Sequence, residues 1–220
     1  MARSKRISVL TDASGAYAAA REGMLVMIVD VIDMSTTLES ALDAGALRVL
    51  GASPDLQRAP VRVAPLVVGR EAARTAREAG TGIIVVAEPR VGSEQERLAR
   101  CQQLLQGIER EKGVVEAVVP NLGAETPRLT PMKNRVVVAV TGTGGVAFDA
   151  AFQECGEVIT GTVARTLLQK GLQPALTAVR RARATVGTRE GIAVVAASRN
   201  SQEDILAAQF IATLLLNEVE

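Results

Sequence analysis

Carboxylates, hydroxyls and glycines follow four apolar runs of this chain. Met24–Ser40 reads MLVMIVDVIDMSTTLES, an apolar block followed by Asp30, Asp33 and the hydroxyl cluster Ser35, Thr36 and Thr37. Glu88 and Arg90 follow Ile83–Ala87, and the turn Thr141-Gly142-Thr143-Gly144-Gly145 follows Arg135–Val140. After Ile192–Ala196 come Ser198, Arg199, Asn200, Glu203 and Asp204. The chain has no histidine, which removes Ser-His-Asp and Cys-His catalysis. General acid–base work then falls to carboxylates, lysine or a metal-bound water. Clustered carboxylates with hydroxyls suit a hard, oxygen-liganded cation such as Mg²⁺ better than zinc.

The glycine turn has a rationale of its own. Unhindered glycines at a helix start let backbone N–H groups converge on phosphate. It lacks the Lys-Ser/Thr pair of a P-loop. Gly142, Gly144 and Ala147 match the spacing of a dinucleotide turn, but the next strand ends at Thr160-Gly161-Thr162 without the acid that would hold a ribose. Each candidate also has a structural reading. Backbone amides can satisfy a strand-end Asp30, and Ser35 or Thr36 can cap a helix. Glu203 and Asp204 favour the first turn of the last helix through its macrodipole, and Arg199, taken singly, reads as a solvated loop residue before an anion clamp.

The elements that must position these residues alternate along the chain. Arg6–Leu10, the block before Asp30, Leu47–Leu50, Ile83–Ala87, Val114–Val119, Arg135–Val140, Val158–Thr160 and Ile192–Ala196 read as short strands. Helical spacing marks Thr37–Ala44 with Gly45 as its stop, Gly69–Gly80, Ser93 to about Glu111, and the segment from Gly145 to Cys155. It also marks Val163–Lys170, Pro174–Thr185 and the stretch from Ser201 onward. Ser93 and Glu96 form a capping-box signature. Ala13–Glu22 is readable as helix or loop. Ser53–Pro65 is a proline-marked connection with a short strand expected at Val61–Val63. A long loop with three prolines joins Val119 to Arg135, and such loops are more often functional than idle. Continuous apolar strands alternating with helices predict an α/β fold, a largely parallel or mixed sheet flanked by helices on both faces. One domain over residues 1–220 accounts for the length, with room for two α/β lobes meeting near 120–135. The turns at the carboxyl ends of such strands are where ligands bind.

Composition narrows the function classes. Lys and Arg number 25 against 24 Asp and Glu, and Tyr17, Phe148, Phe152 and Phe210 are the only aromatics. Neither a basic footprint nor base-stacking platforms are available, which disfavours nucleic acid. The basic opening MARSKR is followed by an apolar run too short for a signal peptide. No stretch approaches the roughly 18 apolar residues of a membrane span. Cys101 and Cys155 lack partner spacing, which fits reduced thiols in the cytoplasm. Alanine-rich helices allow homo-oligomer formation.

With these positions in view, the chain resembles the 2-phosphosulfolactate phosphatase-like family. The family pattern D-V-L-R-A-S-T-T is echoed by Asp30-Val-Ile-Asp-Met-Ser-Thr-Thr37, D-L-G-N-S-P by Asn121-Leu-Gly-Ala-Glu-Thr-Pro127, T-T-N-G-T by Thr141–Gly145, and L-E-D by Gln202-Glu-Asp204. The order is kept from about residue 24 onward. Asp33 stands where the family has arginine, Ala124 and Glu125 replace Asn-Ser, Thr143 or a neighbouring glycine replaces Asn, and Ala196 replaces a cysteine. The resemblance implies a Mg²⁺-dependent phosphatase of a small anionic metabolite, a phosphorylated hydroxy acid, related to coenzyme M biosynthesis. It implies Asp30 and Asp204 as Mg²⁺ ligands, with Asp33 and Glu203 beside them in catalysis. Ser35, Thr36, Thr37, Thr141–Gly145 and Arg199 would then bind substrate. A rival expectation is a diverged member that binds a ligand without the reaction; a more distant one is a nucleotide-dependent enzyme on the glycine turn.

Overall fold

Four of the apolar runs, LVMIV, IIVVA, VVVAV and GIAVVA, are strands in which every residue is buried. Strands covered on both faces have no reason to alternate, because each side chain meets a helix layer whichever way it points. The computed structural model describes residues 5–217, so Met1–Ser4 of the basic opening lie outside it. The first half of the chain runs β1 (Arg6–Thr11), α1 (Asp12–Arg21), β2 (Leu25–Val29), α2 (Met34–Asp43), β3 (Arg48–Ala52), α3 (Pro65–Glu78) and β4 (Ile83–Ala87). It continues with α4 (Glu94–Ala99), α5 (Gln102–Arg110), β5 (Val115–Pro120), a 3-10 helix at Gly123–Arg128, β6 (Val136–Val140) and α6 (Gly144–Cys155). β7 (Val158–Gly161), α7 (Gln173–Thr185), β8 (Gly191–Ala196) and α8 (Gln202–Leu216) complete it.

The α/β class holds, but the strands form two sheets of four, ordered β1-β8-β2-β7 and β3-β6-β4-β5. Every pairing is parallel among the described residues. The first sheet uses the two ends of the chain and the second uses the middle. α2 carries the chain out of the first sheet and α6 carries it back. Residues 120–135 connect β5 to β6 within the second sheet. One aliphatic cluster contains Val26 and Ile28 of β2, Val85 of β4, Val137 of β6 and Val195 of β8, so a common core joins the sheets. Each such side chain contributes roughly 1.5–3 kcal/mol by leaving water.

Three local expectations change. Val61–Val63 is not a strand. Pro60 and Pro65 bracket it without N–H groups, and the next backbone N–H, that of Ala64, donates to Asp149 at 2.9 Å. The helix expected from Ser93 to Glu111 is two helices, α4 and α5. Asp55 accepts the N–H groups of Gln102 and, at 3.1 Å, Gln103, and so starts a fresh helix after Cys101. Val163–Lys170 is irregular because Asp43 competes for its hydrogen bonds, taking the Thr166 hydroxyl and, at 3.0 Å, the Leu168 N–H. Ala13–Glu22 resolves as helix α1. Cys101 and Cys155 are free thiols, and no helix among the described residues is long and apolar enough to cross a membrane.

Candidate functional site

β2 and β8 are neighbours, so their carboxyl ends bring Asp30 beside the start of α8. Asp30, Asp33, Glu203 and Asp204 line one pocket of about 280 Å³, together with Ile32, Thr143, Ser198, Asn200 and Ser201. The two acidic groups, 170 residues apart in sequence at Asp33 and Glu203, thus share a site. Asp204 is 3 % exposed, and its Oδ1 accepts the Val31 N–H at 2.8 Å, which ties the start of α8 to the turn after β2. The Ser201 hydroxyl caps that helix by accepting the Asp204 N–H. Burial, then the charges of Asp204 and Asp33, push the Asp30 carboxyl from its ordinary 3.8 up to about 6. Asp204 is raised too, by burial first and then by Glu203 and Asp33.

Asp30 is also a structural tie. Its Oδ1 accepts the Asp33 N–H at 3.1 Å, and its Oδ2 accepts the Gly144 N–H at 2.9 Å and the Thr143 hydroxyl at 3.2 Å. The carboxylate therefore caps the N-terminus of α6, where the macrodipole favours negative charge. Glycine is required there, since a Cβ on residue 144 would stand 2.3 Å from Asp30 Oδ2. Gly145 donates its N–H to the Thr141 hydroxyl at 2.8 Å. The turn expected to cradle phosphate, or a dinucleotide, thus has the Gly144 and Gly145 amides committed within the protein. Its exposed members are Gly142 and Thr143.

The hydroxyl cluster is likewise committed. Ser35 donates to Ile28 O at 2.8 Å and accepts the Asp30 N–H at 3.0 Å. Thr36 bonds to Val31 O at 2.6 Å and to Thr162 at 2.8 Å, and Thr37 donates to Asn121 Oδ1 at 2.5 Å. All three are buried. They position α2 and its turn, and the substrate-binding role expected of them does not fit their burial. Arg199 also departs from expectation. Its backbone N–H donates to Asp12 Oδ1 at 2.8 Å and its Nε is ion-paired with Asp12 Oδ2. Burial works against ionisation of Asp12, yet the Arg199 hydrogen bonds hold its carboxyl below the ordinary value. Arg199 and Asp12 lie in an adjoining cleft of about 330 Å³ with Gln57, Arg58 and Gly142, whose lining lacks Asp30, Asp33, Glu203 and Asp204. Thr143 and Ser198 border both spaces.

Arg90 arrives from the end of β4 and binds Asp33 at 3.1 Å. A guanidinium therefore meets position 33 from another strand, although residue 33 itself is an acid. Four carboxylates and no lysine or arginine line the pocket itself, and Arg90 is paired with Asp33 alone, a balance that suits a cation better than an unaccompanied anion. Asp12 and Arg58 were missed by sequence reasoning. Asp12 follows β1 as Asp30 follows β2, so the strand-end rule applied to the first strand finds it. Arg58 sits in a proline-flanked connection with no periodicity to mark it.

Neither a family model nor a curated protein matches this chain. The family resemblance accordingly rests on the residue pattern alone. As for a metal, no three Asp, Glu, Cys or His side chains among the described residues form a ready-made cage. Mg²⁺ usually keeps several waters and needs one or two protein carboxylates. Asp204 Oδ2 and one lone-pair position of Asp30 have no partner among the described residues, which leaves acceptors on two carboxylates of the pocket, the number a hydrated Mg²⁺ would need.

Proposed function

We propose that this chain is a Mg²⁺-dependent hydrolase of a small phosphorylated hydroxy acid. The observation that carries the reading is the convergence of Asp30, Asp33, Glu203 and Asp204 on one pocket at the carboxyl ends of parallel strands. Asp30 and Asp204 would hold the cation, which supplies charge for phosphoryl oxygens and an acidified water. Asp30 is fixed by the Gly144 amide and the Asp33 N–H, so it presents its remaining lone pair without reorganisation. Glu203, exposed at the start of α8 and lining the same pocket, would take a proton from an attacking water. Arg90, half-exposed and paired with Asp33, is the guanidinium seen bonded to one of these acids among the described residues, and it would turn toward a phosphoryl oxygen. Phosphate release from a panel of phosphorylated hydroxy acids tests this directly. Turnover should require Mg²⁺ and fall at least about a hundredfold in Asp30→Asn. No release from any member by the folded protein would sink it.

The commitment of Ser35, Thr36, Thr37 and the Gly144 and Gly145 amides within the protein favours one second reading, a diverged member that binds a cation and ligand without turnover. It predicts Mg²⁺-dependent thermal stabilisation by phosphorylated acids with no phosphate released.

A further inference from the structure

A cleft of about 400 Å³ opens between the two sheets, away from the acidic pocket. Its walls include two edge strands: β3 pairs only with β6, and β7 only with β2. The cleft is lined by Arg48, Val49 and Leu50 at the start of β3 and by Glu157–Thr160 at the start of β7. It therefore lies toward the amino ends of these strands, whereas Asp30 and Asp204 stand at carboxyl ends.

The lining is divided in character. Leu42, Leu47, Val49, Phe152 and Ile159 supply an apolar wall. Arg48 and Arg181 supply two guanidiniums, and the single carboxylate of the lining, Glu157, is held by Arg189. Both guanidiniums are fixed from behind. Glu39, 3 % exposed, takes Arg181 Nη1 and also the Thr160 hydroxyl, the latter at 2.7 Å. Arg48 Nη1 is held by Glu71 at 2.6 Å and Thr75 at 2.9 Å. A guanidinium has five N–H donors in a rigid fork. The Nε and Nη2 groups of Arg48 and Arg181 have no partner among the described residues, so their hydrogen bonds must go to solvent or to a ligand.

We propose that this cleft is a second binding site, for a small amphipathic carboxylate. A short aliphatic or aromatic acid would lay its hydrocarbon part on Leu47, Val49, Phe152 and Ile159 and give its carboxylate to the free N–H donors of Arg48 and Arg181. The volume falls within the range of about 300–1,000 Å³ usual for small-molecule pockets. Guanidinium forks match carboxylates in charge and in plane. The apolar wall selects against phosphate, which has no hydrocarbon to bury and strong hydration to lose.

Calorimetric titration of the full chain with hexanoate and benzoate tests the site, with hexan-1-ol and benzamide as uncharged counterparts. The acids should bind saturably at one site at millimolar concentration or below, and the uncharged counterparts about tenfold more weakly, the loss expected for one charge-assisted hydrogen bond. Arg48→Gln should weaken hexanoate by a similar factor; it is preferred to Arg181→Gln, which would strand the buried Glu39. Leu47→Trp, at a half-exposed position on the rim, should block the cleft while the melting temperature holds. Failure of either acid to bind the folded protein, equal binding of acid and alcohol, or unchanged hexanoate binding in both variants would overturn the proposal.

Discussion

Asp30 is a structural tie that the proposed reaction would also use. Three hydrogen bonds hold its carboxylate at the start of α6, while burial and the neighbouring Asp204 and Asp33 disfavour its charge. Gly144 is the permissive partner. Gly144→Ala should push the carboxylate off its amide, lower stability by about 1–3 kcal/mol in chemical denaturation and abolish phosphate release. Asp149 offers a cleaner view of buried charge, because it lies outside the acidic pocket. It accepts the Ser53 and Ala64 N–H groups and the Gln153 amide, yet burial raises its carboxyl from 3.8 to about 6. The folded chain therefore holds this proton more tightly than the unfolded chain. The stabilisation is complete below about pH 4 and is lost as pH rises through about 6, on the order of 3 kcal/mol by pH 7. Melting temperature should fall across that window, with a flatter slope in Asp149→Asn. An unchanged slope in the variant would assign the titration elsewhere. At this scale the sequence was half legible. It marked Asp30, Asp33, Glu203 and Asp204 by their place after apolar runs, but it could not show that Ser35, Thr36, Thr37 and Arg199 face inward or sideways. Their partners, Ile28, Thr162, Asn121 and Asp12, are remote or lie on other elements.

Elements were read best where a single local cause governs them. The capping box of Ser93 and Glu96 is present, with each side chain meeting the other's backbone N–H. Continuous Val/Ile runs became the buried strands β2, β4, β6 and β8. Two of the three errors came where a carboxylate from elsewhere intervened, Asp55 at the start of α5 and Asp43 in the segment before α7. Neither influence has a signature in the affected segment. Packing between helices was also invisible. α3 and α5 meet through Gly69 and Gly107, where an added Cβ would stand 2.1 Å from the carbonyl oxygens of Leu104 and Leu66 respectively. Backbone atoms cannot give way as a flexible side chain can. Gly107→Ala should therefore force the helices apart and cost about 1–3 kcal/mol, read as a lower denaturation midpoint. Unaltered stability would show that this contact tolerates separation.

At the scale of the whole molecule, the site stands where the sheets join. Asp30 ends a central strand of the first sheet, and Gly144 opens the helix that returns from the second. Asp204 comes from the last helix and is fastened to the turn after β2. The α/β class was legible in the alternation of elements. Two lobes were allowed for near 120–135, but the strand order of the two sheets was not legible, because it depends on which ends of the chain meet. A divalent cation held at this junction is what would make four converging carboxylates useful rather than merely costly. Calorimetric titration of Mg²⁺ into the wild-type chain and Asp204→Asn measures it directly. Asn keeps an acceptor for the Val31 N–H but removes the charge. One saturable site in the wild type, with affinity at least about tenfold weaker in Asp204→Asn, is the predicted result. No binding at millimolar Mg²⁺ by the folded protein, or equal affinity in the two chains, would contradict it.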